Sequence, residues 1–430
     1  MLRSNIEAAL WAGLLIVNEI ILLVLWLANS GRLLAGDVFD VSIALGRVTG
    51  LFLGYLVLIE LLLISRAPSF EHAFGFDTLN RTHRVTGFVM LGLLVAHPVF
   101  LSIGYAGGEN PVAQFFAFAQ WEGVFAATIG AIAMLGAGIA SIKIIRKRMS
   151  YDAWYLLHLL MYIGAMLAFW HTIESGDVAR GGALAYWLAL SAFTALTVIG
   201  YRFGRPLYRF FTNDFRIEKV VRESPSTHSI YITGNNMDTF RFEEGQFANF
   251  IFLKKGMCRH HPFSFSKVCD GTGLRITVKN LGDFTSRIST LVPGTRVIID
   301  GPLGRFTRTA AETKKYCFIG GGVGVTPVVA LAGACVRDGI DAVLIASFRT
   351  PEDTPLAEDI RTLGLPAHII FSDGEGGRFV DGAFVASLCP DILERDVFVC
   401  GPVPMMDALE KGLLDIGVLR NRIHTERFAF

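Results

Sequence analysis

From residue 8 to residue 203 the chain repeats one pattern, a run of about twenty apolar positions closed by a short polar break. A helix needs roughly 20 such residues to cross a bilayer core. Six segments qualify, at 8–28, 41–64, 83–104, 122–142, 151–172 and 183–203. After Asn213 the pattern shortens to alternating strands at 215–221, 229–233, 247–253, 274–279 and 296–300, which predicts a small antiparallel barrel. From Lys315 it changes again, to a buried strand (316–319), a glycine-rich turn (320–327), an apolar helix and a second strand (342–348). Strands at 368–371 and 397–399 complete the expectation of a doubly wound α/β domain. The predicted boundaries are 1–210 for the membrane domain, 211–310 for the barrel and 311–430 for the nucleotide domain.

Composition agrees with a chain that is half in lipid. Hydrophobic residues make up 52% and charged residues only 18%, against about 25% charged in ordinary soluble domains. Basic residues gather at Lys143, Arg146, Lys147 and Arg148, at Arg66, Arg81 and Arg84, and at Arg202, Arg205 and Arg209. The opposite loops hold only Arg32 and Arg180, so the positive-inside rule predicts both termini in the cytoplasm. The apolar run at the N-terminus is too long for a cleaved signal. All six cysteines lie in the polar half, at spacings that fit neither a zinc site nor a disulfide framework and that suit a reducing cytosol. The net charge of +1 says nothing about nucleic acid, and no basic patch argues for it as a partner.

Histidines carry the first chemical signal. His83 and His97 lie on the third predicted span, and His158 and His171 on the fifth, separated by 14 and 13 residues. Imidazole is costly in lipid and marks function there. At ~1.5 Å per residue each pair is about 20 Å apart, which puts one imidazole near each leaflet. Both helices run outward, so His83 is expected opposite His158 and His97 opposite His171, each pair gripping one six-coordinate haem iron. A regular helix returns 14 residues to nearly one face but turns 13 about 140° away. A bulge or kink between His158 and His171 is therefore expected.

The polar half carries four further motifs: Arg259-His260-His261-Pro262-Phe263-Ser264-Phe265-Ser266; Gly282-Asp283-Phe284-Thr285-Ser286; Gly320-Gly321-Gly322-Val323-Gly324-Val325-Thr326-Pro327; and Cys400-Gly401-Pro402. With the six spans and paired histidines before them, they resemble the NADPH oxidase and ferric reductase family over nearly the whole chain. The fold implied is a six-helix transmembrane haem-binding bundle followed by a ferredoxin-reductase-like module, an antiparallel FAD barrel plus a nucleotide domain.

By this resemblance Ser264 bonds the isoalloxazine, with Ser266 in the same motif, while His261, Pro262 and Phe263 frame it. Gly282, Phe284 and Thr285 open a helix at the FAD pyrophosphate. A strand followed by glycines lets a backbone approach a pyrophosphate, and Gly320, Gly321, Gly322, Gly324, Thr326 and Pro327 match the family's nicotinamide loop. Cys400, Gly401 and Pro402 lie beside the nicotinamide, with Cys400 near the hydride-donating carbon. Ser347 and Arg349 end the second nucleotide strand, where an Arg accommodates a 2′-phosphate, so NADPH is expected, with NADH as the alternative. Phe430 would stack on the flavin and move aside for nicotinamide, whereas Phe428 is assigned to the core.

The order of electron flow implied is NADPH, FAD, an inner haem b at His83 and His158, an outer haem b at His97 and His171, then an external acceptor. The family's oxidases place an Arg in a stretch like Ala44-Leu45-Gly46-Arg47, where it helps hold oxygen, so O2 reduced to superoxide is the expected acceptor reaction. The animal oxidases carry a further His four residues after the outer ligand, and this chain has Leu101 there. A ferric chelate, or a periplasmic partner protein served by this chain as an electron-delivery subunit, is the alternative. No calcium-binding loop is visible, so constitutive activity is expected.

Overall fold

The structure, a computed structural model, describes residues 2–121, 123–174, 176–373 and 376–427. Among them six helices are long and apolar enough to cross a membrane: Ile6–Ala35, Val38–Leu63, Thr78–Ala106, Val124–Ser141, Ala153–Glu174 and Gly181–Thr212. They are numbered here as the first to sixth spans. Residues 4–202 form one compact unit and 203–430 another.

Within the first unit, Leu22, Trp26, Ala44, Leu51, Tyr55 and Trp187 knit the first, second and sixth spans into one apolar core. Outward positions such as Leu10, Leu14, Val17, Ile20 and Val24 are exposed, the surface a lipid-facing helix presents. The second span begins at an Asp37 cap, whose carboxylate accepts the backbone N–H groups of Phe39 and Asp40. Glycines on this span let its neighbours come close, as small residues do between helices in lipid. A Cβ at Gly46 would collide with Leu101, one at Gly50 with the His97 ring, and one at Gly54 would press to 3.2 Å on Trp187.

The fifth span is interrupted where the histidine spacing requires it. One helix runs Tyr151–His158 and the next Leu160–Glu174, with Leu159 as the break. The interruption is a turn and not a π-bulge; a π-helical stretch lies instead at Val198–Gly204 in the sixth span.

In the second unit, β1 (Arg216–Ser224), β2 (Thr227–Thr233) and β5 (Leu274–Lys279) form one antiparallel sheet. β3 (Phe247–Phe252), β4 (His261–Ser264) and β6 (Val297–Leu303) form another, in the order β4-β3-β6. Their inner faces close over Phe215, Ile230, Phe250, Phe252, Phe265 and Ile276. β7 (Tyr316–Gly321), β8 (Ala342–Phe348), β9 (Ala367–Phe371), β10 (Asp396–Cys400) and β11 (Ile423–Glu426) make a parallel sheet ordered β11-β10-β7-β8-β9. The helix Val325–Asp338 is buried over most of its length against this sheet. β11 has no counterpart among the sequence expectations. The helix expected from Gly282 is a six-residue 3-10 turn, Thr285–Thr290, because the Thr285 hydroxyl accepts the N–H groups of Leu281 (2.8 Å) and Gly282 (3.0 Å) and closes a local loop.

Candidate functional site

Four imidazoles meet in two pairs within the membrane unit. The ring centres of His83 and His158 are 6.1 Å apart, with planes at 89°, and those of His97 and His171 are 6.3 Å apart, with planes at 52°. Nitrogen–metal bonds of about 2 Å, with ring centres roughly 1 Å behind each nitrogen, place two imidazoles on opposite sides of one metal with centres about 6 Å apart. Both pairs have that spacing. Among the described residues no group of three or more His, Cys, Asp or Glu could hold a metal ion. The pairs therefore fit a metal that brings its other ligands with it.

Second contacts lie behind His83, His97 and His158. His97 Nδ1 is 2.7 Å from the Gly46 carbonyl oxygen, and His158 Nδ1 is 3.2 Å from the Ser141 hydroxyl. His83 Nδ1 meets the carboxylate of Glu60, which also accepts the Thr86 hydroxyl. A partner on Nδ1 fixes the ring and leaves Nε2 for a metal. Trp154 stacks on His158 at 5.1 Å and donates to Ser141 Oγ at 3.1 Å, while Arg146 lies 4.7 Å above the Trp154 ring. Glu60 belongs to none of the motifs read from the sequence. Its position one helix away from a histidine was the missed signal, since an acid in lipid calls for a partner.

Arg47 is tied into a polar cluster on the second span. It donates to Ser30 Oγ at 3.2 Å and lies 4.0 Å from Asp177, whose carboxylate accepts the Ser30 hydroxyl at 2.6 Å. Burial raises the Asp177 carboxyl above the usual range. Leu101 packs over Gly46. Arg84 is exposed.

In the barrel, β4 presents the Arg-His-His-Pro-Phe-Ser motif along a sheet edge. His261 stacks on Phe284 at 3.5 Å and lies parallel to Phe263 at 6.4 Å, so the two motifs meet. Burial, aided by the charge of Arg259, pushes the His261 imidazole down to about 4, and it is neutral at pH 7. Ser264 Oγ, His261 Nε2 and, from the adjoining β3, Asn249 Nδ2 are buried without a hydrogen-bond partner. Unpaired polar atoms are costly inside a protein. Their concentration at this edge fits a polar planar ligand such as a flavin. Pro262 is exposed beside them. Ser266 is directed elsewhere: its hydroxyl is engaged with Thr277 (2.8 Å) and Arg275 (3.2 Å) inside the barrel. Gly282 has open space where a Cβ would stand.

The parallel sheet joins the remaining motifs. Cys400 pairs with Gly320 and Ser347 with Gly321 across neighbouring strands. A Cβ on Gly324 would lie 2.5 Å from the Cys400 carbonyl carbon, and one on Gly321 3.0 Å from Pro402, so only glycines let these loops touch. Gly401 approaches Gly321 in return. Gly322 adopts φ +53°, in the left-handed region, with nothing near it. Thr326 and Pro327 are buried in the helix start, and Thr326 donates to the Val323 carbonyl at 2.9 Å. Cys400 is fully buried, and desolvation raises its thiol far above the ordinary range, so it is a neutral packing group next to the loop. Arg349 extends from the end of β8 with its side chain 82% exposed, paired to Asp373 at 3.2 Å. Phe428 and Phe430 lie outside the described residues.

A histidine ladder in a six-span bundle, joined to a barrel and a nucleotide-type sheet, defines an integral-membrane oxidoreductase. Residues 49–169 match the family described as ferric reductase like transmembrane component, and residues 318–411 match the oxidoreductase NAD-binding domain. Along the chain, then, a ferric-reductase-like transmembrane segment is followed by an oxidoreductase NAD-binding domain.

It is similar to the glycine betaine monooxygenase reductase subunit of Chromohalobacter salexigens, 27% identical over 50% of this chain and 64% of that protein. It is also similar to the electron transfer subunit of dihydroorotate dehydrogenase B (NAD(+)) of Fusobacterium nucleatum, 28% identical over 49% of this chain and 84% of that one. The chain thus spans less than two thirds of the first of these relatives. Among solved structures, the flavohem-like FAD/NAD binding domain of nitric oxide dioxygenase from Vibrio cholerae is 22% identical, with a TM-score of 0.45 over 50% of this chain and 98% of that one.

Proposed function

We propose that the chain carries electrons from cytosolic NADPH through FAD and two b-type haems to an acceptor on the far side of the membrane, with O2 reduced to superoxide. The observation that carries this reading is the matched spacing of the two histidine pairs, 6.1 and 6.3 Å, on the same two spans. A haem supplies four ligands of its own and needs only two from protein, which suits histidine pairs without further ligating side chains. His83 and His158 hold the inner haem, and His97 and His171 the outer one. With both protein ligands taken, such haems would supply one-electron transfer without substrate binding at the metal.

A flavin accepts a hydride, two electrons at once, and releases electrons singly, as one-electron carriers require. The protein's part is placement. Ser264, Asn249 and His261 offer polar atoms to the flavin, with Phe263 and Phe284 beside them. Gly320, Gly321, Gly322 and Gly324 admit the pyrophosphate of the nicotinamide cofactor, Gly401 and Pro402 line the nicotinamide side with Cys400 packed behind them, and Arg349 reaches a 2′-phosphate. Both termini are cytoplasmic in this reading, which the basic loops support, with the membrane domain over 1–210, the flavin domain over 211–310 and the nucleotide domain over 311–430.

A second reading has its own support. Leu101 stands where the oxidases' extra histidine would be, Arg47 is held by Ser30 and Asp177, and several relatives are named reductase subunits. In this reading the outer haem serves a partner protein. Purified protein in detergent, supplied with FAD, haem and NADPH, separates the possibilities. Superoxide trapped by a specific reporter supports the first reading. Turnover only with a ferric chelate makes the chain a metal reductase. Haems that reduce fully but turn over only when a partner is added make it a delivery subunit.

A further inference from the structure

Glu60 lies three residues from the end of the second span, Val38–Leu63, and is 7% exposed, so its carboxylate is buried among the helices at a cost. Its Oε1 accepts the hydroxyl of Thr86, one turn along the third span, and its Oε2 lies against His83 Nδ1 as a charge beside the ring. The corresponding ring of the other pair, His97, is oriented by a neutral group, the Gly46 carbonyl. The two histidine pairs thus differ in charge behind one ligand, while their ring spacing is nearly the same.

That difference has a direction. A carboxylate accepting the N–H of a ligating imidazole raises the basicity of the ring's other nitrogen, and axial-ligand donation sets the potential of the iron. A negative charge in a low-dielectric interior also favours the more positive, oxidised state of a nearby metal. A backbone carbonyl does much less of either. We infer that Glu60 is a positioning residue that fixes the His83 ring and makes the His83–His158 centre the lower-potential of the two. Electrons then run downhill from the His83–His158 centre to the His97–His171 centre. The inference rests on the two-haem reading above.

Potentiometric titration of the full chain, purified with its haems, tests it. Wild-type protein should show two one-electron waves, and His83→Leu identifies the one that belongs to the Glu60 centre. Glu60→Gln keeps an acceptor for Nδ1 but removes the charge. It should retain both haems and raise that wave alone by the equivalent of about a tenfold change in the one-electron equilibrium, ~59 mV. Glu60→Leu should raise it further and alter the low-spin resonance of the same centre. Thr86→Val removes a donor that competes for the carboxylate, so it should move the same wave downward, which keeps the test open if the Glu60 variants do not assemble. Waves that superimpose on wild type in these variants overturn the role of Glu60. A wild-type protein with fewer than two haems overturns the underlying reading instead, and that is seen before any variant is made.

Discussion

His97 places Nδ1 2.7 Å from the carbonyl oxygen of Gly46, a contact that joins the third span to the second. One turn further along the second span, a Cβ on Gly50 would overlap the same imidazole. The ring is therefore held by a carbonyl at one glycine and by the missing side chain of the next.

Gly50→Val should consequently displace the ring without touching any ligand. Haem content is expected to fall from two to one per chain, with FAD binding unchanged. Haem extraction and flavin fluorescence read the two quantities separately. A Gly50→Val protein holding both haems would show that this glycine does not position His97.

Ser264→Ala makes opposite predictions for two states of the protein. In the flavin-free protein the Ser264 hydroxyl is buried and unpaired. An unsatisfied buried group costs about 1–3 kcal/mol, so its removal should leave thermal stability unchanged or higher. Loss of one hydrogen bond to the flavin should weaken FAD binding by about 0.5–1.5 kcal/mol, roughly two- to twelvefold. Fluorescence titration and thermal unfolding with and without FAD measure both. A destabilised flavin-free variant with normal affinity would assign the hydroxyl to the fold alone.

Much of this arrangement was legible along the chain because it follows from periodicity. The separations of 14 and 13 residues foretold an interrupted fifth span, and Leu159 breaks the helix. The strands of the barrel follow from alternation, and Gly320–Gly324 from the strand before it. What escaped depends on contacts between distant segments. Glu60 and His83 are 23 residues apart on different helices, and no local pattern links them. Ser266 belongs by sequence to the flavin motif, but Thr277 and Arg275 on β5 engage it. β11 is four residues long and gains its stability from pairing with β10, which its own composition does not announce.

His261 should make the flavin-free barrel sensitive to acid. Its folded pKa is pushed down from 6.5 to about 4 by burial and then by Arg259, so the unfolded chain takes up a proton before the folded one does. Stability attached to this residue is fully present above pH 6.5 and declines as pH falls towards 4. Hydrogen exchange of the β4 amides across that window should show a shallower decline in His261→Phe. Equal slopes in the two proteins would mean that the imidazole is not buried as the fold has it.

Arg349 is expected to decide between the two nicotinamide cofactors. Its side chain is 82% exposed at the end of β8, the strand that carries Ser347 opposite Gly321. Its partner Asp373 is itself exposed, and ion pairs of this kind contribute about 0–1 kcal/mol, so the arginine can leave it for a phosphate at small cost. A charged hydrogen bond to a 2′-phosphate is worth about 1.5–3 kcal/mol. Arg349→Ala should therefore lower kcat/KM for NADPH by roughly 10- to 150-fold while leaving NADH almost unchanged. Asp373→Asn removes a repelling charge and the competing partner together, and should favour NADPH further. Steady-state rates with both cofactors measure each ratio, and an equal loss for NADPH and NADH in Arg349→Ala would assign the residue to the loop's structure and the cofactor choice to another group.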